Sequence, residues 1–167
     1  MDDLNFEEVD SLIPAAIGEP GNRVFYIQAR RGERVVALKV EKEQVGMLGG
    51  YLGSILGSFG SPEPDRDIAG IIDPVVPVWT VGSLSVGIDE ENQSILVTAE
   101  EFQIDPDEDD GCDEHSAVPA TARFVLRAAQ AAAFAEAAAE LMSAGRPPCR
   151  LCGAPMEPSG HHCPRWN

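Results

Sequence analysis

The sequence predicts an α+β fold, with antiparallel strands in one or two sheets and two helices packed on them. Three observations carry that reading. Runs of β-branched and aromatic residues alternate at a period of two at 24–29, 35–40 and 95–102. Two longer segments, 41–59 and 127–144, have the composition of helices, the first with apolar residues at three- and four-residue steps, the second rich in alanine. The end of the chain, 146–167, has neither period and gathers cysteine, histidine, proline and glycine instead. The chain therefore divides into an acidic α+β domain, 1–145, and a short tail, 146–167.

In chain order, residues 1–10 are acidic and give little signal, with a strand expected from about residue 9 to residue 17. Gly18, Pro20, Gly21 and Asn22 make a dense turn. In the strand 24–29, Val24 and Tyr26 face one side and Phe25 and Ile27 the other. Gly32 turns the chain, and Val36, Leu38 and Val40 share one face of the next strand, so a hairpin or meander is expected. In the helix 41–59, Val45, Leu48, Leu52, Ile55 and Phe59 form one apolar stripe. Gly46, Gly50, Gly53 and Gly57 form a second stripe. Each interior glycine costs about 0.8–1 kcal/mol relative to alanine, so close approach to a sheet or another helix is expected to compensate.

Residues 61–73 are rich in proline and aspartate and read as a loop. Pro77 marks the strand 75–81 as an edge or as one that begins irregularly. Leu84, Val86 and Ile88 alternate with small residues in a separate strand, and 95–102 returns as its hairpin partner. A last strand, 121–126, leads into the alanine-rich helix, anchored by Phe134, Leu141 and Met142 and ended by Gly145, with Pro147 and Pro148 beyond. Leu38 to Gln44 and Phe124 to Gln130 both run from strand into helix with glutamine at the end. That is the pattern of a duplicated strands-then-helix unit.

The net charge is −16. Arg146, Arg150 and Arg165 against Glu157 give the tail +2, which leaves −18 on the body. So negative a body repels phosphate backbones, and nucleic-acid binding is not expected of it. Met1, Asp2, Asp3 and Leu4 do not resemble a secretion signal. No apolar run approaches the roughly eighteen residues of a membrane span. Thiols without a secretion signal fit a reducing cytoplasm. Within the acidic run 100–114, Asp105, Asp107 and Asp109 alternate as in a calcium loop. However, Gly111 comes one place late and Ser116 stands where a glutamate is required, so a solvated loop is the reading. Cys112 and His115 there are read as incidental surface residues.

The tail carries the strongest chemical signal. Cys149 and Cys152 form a Cys-x-x-Cys turn, Gly153 suits the positive φ of such a turn, and Pro147 and Pro148 keep a helix from entering it. Cys163 and one of the adjacent histidines, His161 or His162, complete a four-ligand set of the kind that holds structural zinc. A redox pair or disulfide is the competing reading, but Gly153, Ala154 and Pro155 are a poor helix start for a redox motif. So short a tail cannot bury a core of its own, and metal binding and folding should be one event.

The blocks Gly18-Glu19-Pro20-Gly21-Asn22-Arg23 with Phe25, Gln28 and Ala29, then Glu41-Lys42-Glu43-Gln44-Val45, then Ser143-Ala144-Gly145-Arg146-Pro147-Pro148-Cys149 and Gly160-His161-His162-Cys163-Pro164-Arg165 resemble an actinobacterial family of unknown function, DUF3090. The resemblance covers nearly the whole chain. It implies a glycine-histidine-any-cysteine pattern, which favours His161 over His162 as the fourth ligand. It also implies a cytoplasmic protein whose partners include a kinase-like or a histidine-phosphatase-like protein. It supplies no catalytic residue.

Two functions follow. The first is a non-enzymatic zinc-binding adaptor, or protein-interaction module, with Leu151, Met156 and Trp166 on the tail as interface anchors. It rests on the lack of a phosphate loop or nucleophile elbow, and of any histidine before His115. The alternative is a small-ligand-binding protein or enzyme with a pocket near the turn and strand 18–28, contacted by Glu19, Asn22, Arg23 and Gln28.

Overall fold

The period-two runs become strands whose inward side chains build one core. A computed structural model describes residues 4–68, 70–104, 118–156 and 160–166. In β3 (Val24–Arg31), Phe25, Ile27 and Ala29 are buried. In β4 (Arg34–Val40), Val36, Leu38 and Val40 are buried on one face. The remaining strands are β1 (Leu4–Phe6), β2 (Ser11–Ile17), β5 (Pro77–Asp89), β6 (Ser94–Glu101) and β7 (Thr121–Arg127). The helices are α1 (Lys42–Ile55), extended by a 3-10 turn over Leu56–Phe59, and α2 (Ala128–Ser143).

The strand order is β1-β7-β6-β5-β4-β3-β2. Two pairings, β1 with β7 and β4 with β5, are parallel. The other four are antiparallel. The expectation of antiparallel strands alone is thereby corrected to a mixed sheet. The reason is the helical crossover: α1 and the loop after it carry the chain from the end of β4 back to the edge of the sheet where β4 began, so β5 enters parallel to β4.

Two further corrections concern continuity. The two strands expected on either side of residue 82 are one strand, β5. Its first part pairs with β4, its second part with β6, and the register shifts between Val81 and Ser83. Gly82 permits that bulge: a Cβ there would lie 2.9 Å from the Phe102 Cα, and the Phe102 N–H reaches across to the Thr80 carbonyl at 2.7 Å. Pro77 is the first residue of β5, where a missing N–H is tolerated. The amino end, expected to carry little structure before residue 9, holds β1. Just beyond it, the Val9 N–H donates to Val125 of β7 and the Asp10 N–H to Arg30 of β3. Residues 4–17 thus pass from one end of the strand order to the other, as β5 passes between β4 and β6.

The core lies between these strands and the helices. Phe6 and Phe124 are fully buried with ring centroids 5.5 Å apart, joined by Leu12, Ile27, Leu38, Ile95, Leu126 and Phe134. The glycine stripe of α1 packs on α2, as the expected close approach requires, but with a different membership. Gly46, Gly49 and Gly53 face Met142, Ala138 and Ala135, whereas Gly50 and Gly57 have nothing within 4 Å.

Both helices begin alike. Gln44 accepts from the Glu41 N–H at 2.8 Å, and its amide donates to the Val81 and Gly82 carbonyls of β5 at 3.4 and 3.3 Å. Gln130 accepts from the Arg127 N–H at 2.8 Å and donates to the Val9 and Asp10 carbonyls at 2.7 and 3.0 Å. Each glutamine therefore caps its helix and pins it to a strand corner. The α2 helix ends at Ala144, whose carbonyl accepts from Arg23 at 3.1 Å. Gly145 does not take the left-handed conformation expected of a C′ glycine. The acidic residues 105–117, with the calcium-loop reading, Cys112 and His115, lie outside the described residues.

Candidate metal centre

The tail is a set of tight turns that turn four ligand atoms toward one point. The Cys149 N–H donates to the Ala154 carbonyl at 2.8 Å, and the Gly153 N–H donates back to the Cys149 carbonyl at 2.9 Å. Gly153 takes φ +73°, the left-handed value that permits this reversal without a Cβ clash. Pro148 and Pro155 form a bridge across the turn. On the second arm, Gly160 takes φ +92°, and the Trp166 N–H closes a turn onto the Cys163 carbonyl at 3.0 Å. Arg165 ties the arms together through the Leu151 carbonyl at 3.3 Å.

The ligand atoms of Cys149, Cys152, His161 and Cys163 all lie within 4.8 Å of one another. The Cys149 and Cys163 sulfurs are 3.9 Å apart, and the Cys152 sulfur is 3.6 Å from the His161 Nε2. A tetrahedral zinc site with bonds of about 2.3 Å to sulfur and about 2.0–2.1 Å to nitrogen places sulfurs about 3.8 Å apart and sulfur and nitrogen about 3.6 Å apart. A disulfide would need about 2.05 Å, and all three cysteines are free. The residues fit a closed site for a soft or borderline cation. Of the two candidate histidines, His161 joins the cluster, while His162 is exposed.

The thiols are not equivalent. The backbone N–H groups of Cys152 and Leu151 point at the Cys149 sulfur and hold its pKa below the ordinary thiol value, with the Leu151 N–H at 3.4 Å. Burial pushes the Cys163 thiol up. A cation binding here displaces the protons of both.

The residues expected at a second pocket scatter. Glu19 and Asn22 are exposed turn residues, and the Asn22 N–H donates to the Glu19 carbonyl at 2.9 Å. Gln28 is 3% exposed, and both ends of its amide are used on Ile72, accepting from its N–H at 2.8 Å and donating to its carbonyl at 3.0 Å. It fastens the loop before β5 to β3 with both ends of its amide engaged within the chain.

Of the four, Arg23 lines a cleft of about 840 Å³ that Glu19, Asn22 and Gln28 do not line. The cleft runs between the β2–β3 turn, the start of α1, the end of α2 and the tail prolines Pro148 and Pro155. Lys39, Lys42 and Arg146 also line it, and sequence reasoning missed all three. No local signal marks them, because three separate segments bring them together. On the tail, Trp166 is 78% and Leu151 53% exposed, so neither covers the metal cluster. Among the described residues, no helix is long and apolar enough to cross a membrane.

Over residues 4–163 the chain matches the family described as protein of unknown function, DUF3090. No curated protein and no solved structure matches it.

Proposed function

The chain belongs to the DUF3090 family, and we propose that its carboxyl end holds a structural zinc ion through Cys149, Cys152, His161 and Cys163. The observation that carries this reading is the sulfur–sulfur and sulfur–nitrogen spacing, 3.9 and 3.6 Å, which suits a tetrahedron. All four positions are filled by side chains, which favours a staple over a reactor. Zinc would join two turns that Arg165 also ties together through the Leu151 carbonyl.

On this staple we place a non-enzymatic interaction role. Exposed Trp166 and Leu151 offer apolar anchors on a small rigid knob. A kinase-like or histidine-phosphatase-like protein is the partner class that the family resemblance implies. A cytoplasmic site fits thiols kept free for a metal. The matching parts played by Gln44 and Gln130 favour descent of the two halves from one duplicated strands-then-helix unit.

Metal analysis of the native protein tests the staple. One zinc per chain, lost in Cys152→Ser, is the expected result; a protein without metal, or Cys149 and Cys152 joined in a disulfide, would refute it. A pull-down that recovers the same partners with Trp166→Ala as with wild type would refute the docking role.

A second reading, a small-ligand site, is favoured by the cleft that Arg23 lines. At about 840 Å³ its size falls in the range of small-molecule pockets.

A further inference from the structure

A chain with a net charge of −16 spends few cations, and four of them line one cleft. Arg23 comes from the end of the β2–β3 turn, Lys39 from β4, Lys42 from the first turn of α1, and Arg146 from the start of the tail. Their convergence depends on the tertiary fold. The Arg146 guanidinium lies against Gly21, where any Cβ would collide with it. The Lys42 ammonium lies over Gly145, 3.4 Å from where a Cβ would stand. Glu41 and Glu43 also line the cleft. Among the described residues, neither forms a salt bridge with Arg23, Lys39 or Lys42.

Part of this charge has a structural use. Arg23 bonds the carbonyl of Ala144, which caps α2, and Lys42 sits beside the same helix end, where positive charge is favourable. Lys39 has no such use: it is exposed on β4 and makes no hydrogen bond or ion pair among the described residues. Phe25, Val40 and Met142 also line the cleft and give its otherwise polar wall an apolar part.

Taking the cleft as a ligand site, we propose that it binds a small organic anion, with a phosphate or carboxylate head among the four cations and an apolar body against Phe25, Val40 and Met142. In a protein whose surface otherwise repels anions, a focused positive cleft selects for them. Arg23 and Arg146 supply planar guanidinium donors suited to either head group, and the lysines supply point charges.

The test is calorimetric titration of the full-length, metal-loaded protein with three probes of similar body: phenyl phosphate, benzoate and neutral benzyl alcohol. Saturable binding of either anion, tighter than the alcohol and weakened at about 0.5 M salt, is expected. The preferred anion then tells phosphate from carboxylate. Lys39→Gln and Arg23→Gln should each weaken it on the order of tenfold, while Arg31→Gln, at the β3–β4 turn outside the cleft, should leave it unchanged. Arg23→Gln also removes a helix cap, so Lys39→Gln, at an exposed site, decides if the first variant misfolds. Binding of the alcohol as tight as that of the anions would overturn the ligand class while keeping the cleft as a site. No binding of any probe would overturn both, and anion binding indifferent to Lys39→Gln would place it elsewhere.

Discussion

Replacing Gln130 with leucine tests how the helices are fixed to the strand corners. Gln130 is fully buried and its side chain makes three hydrogen bonds, at 2.8, 2.7 and 3.0 Å. Leucine keeps most of the packed volume and removes all three. At about 0.5–1.5 kcal/mol per bond, and with the stranded partners in or beside the core, the loss should be about 3 kcal/mol. Gln44→Leu is the internal comparison. Its bond to the Glu41 N–H is equally short, but its amide reaches Val81 and Gly82 only at 3.4 and 3.3 Å in a partly exposed setting. Its loss should be about 1 kcal/mol. With metal content held equal and a urea slope of about 2 kcal/mol/M, the unfolding midpoints should fall by about 1.5 M and about 0.5 M. Equal midpoint shifts would refute the reasoning, as would a larger shift for Gln44→Leu. Either would mean that packing of the helix, not its polar pins, sets the stability there.

Further outcomes follow from other contacts. Gly49→Ala should destabilise by about 1–3 kcal/mol in thermal or urea unfolding, because its methyl group would strike Ala138. Gly50→Ala, with nothing within 4 Å, should instead stabilise by about 0.5–1 kcal/mol. Cys163→Ser should abolish metal retention and open the chain beyond residue 146 to limited proteolysis, with the far-ultraviolet dichroism of the body retained. Arg66→Ala breaks an exposed pair with Glu136 and should change stability by less than about 0.5 kcal/mol by urea unfolding.

The parts of the fold legible in the sequence are those whose cause is local. The hairpin of β3 and β4, the apolar stripe of α1 and the alanine-rich α2 announce themselves by period and composition. So do the cysteines and histidines of the tail, whose spacing forces them into one neighbourhood. What could not be read depends on distant segments. Three residues, Leu4, Asn5 and Phe6, carry too short a pattern to be distinguished from a loop, and they become a strand only beside β7. Gly82 looks like a strand break and is a bulge inside one strand, because Phe102 passes close by. Gln28 looks like a polar surface residue beside a turn, and the loop at Ile72 buries it. The cationic cleft has no sequence signature, since its charges come from three regions of the chain.

The parallel alignment of β1 with β7 has a consequence for how the chain matures. During synthesis the first strand emerges long before its neighbour, Ala122 to Phe124, exists. It must wait unpaired while the intervening strands and α1 form, so assembly cannot finish until nearly the entire body has left the ribosome. Through that delay the like negative charge on nascent bodies makes incomplete copies repel one another.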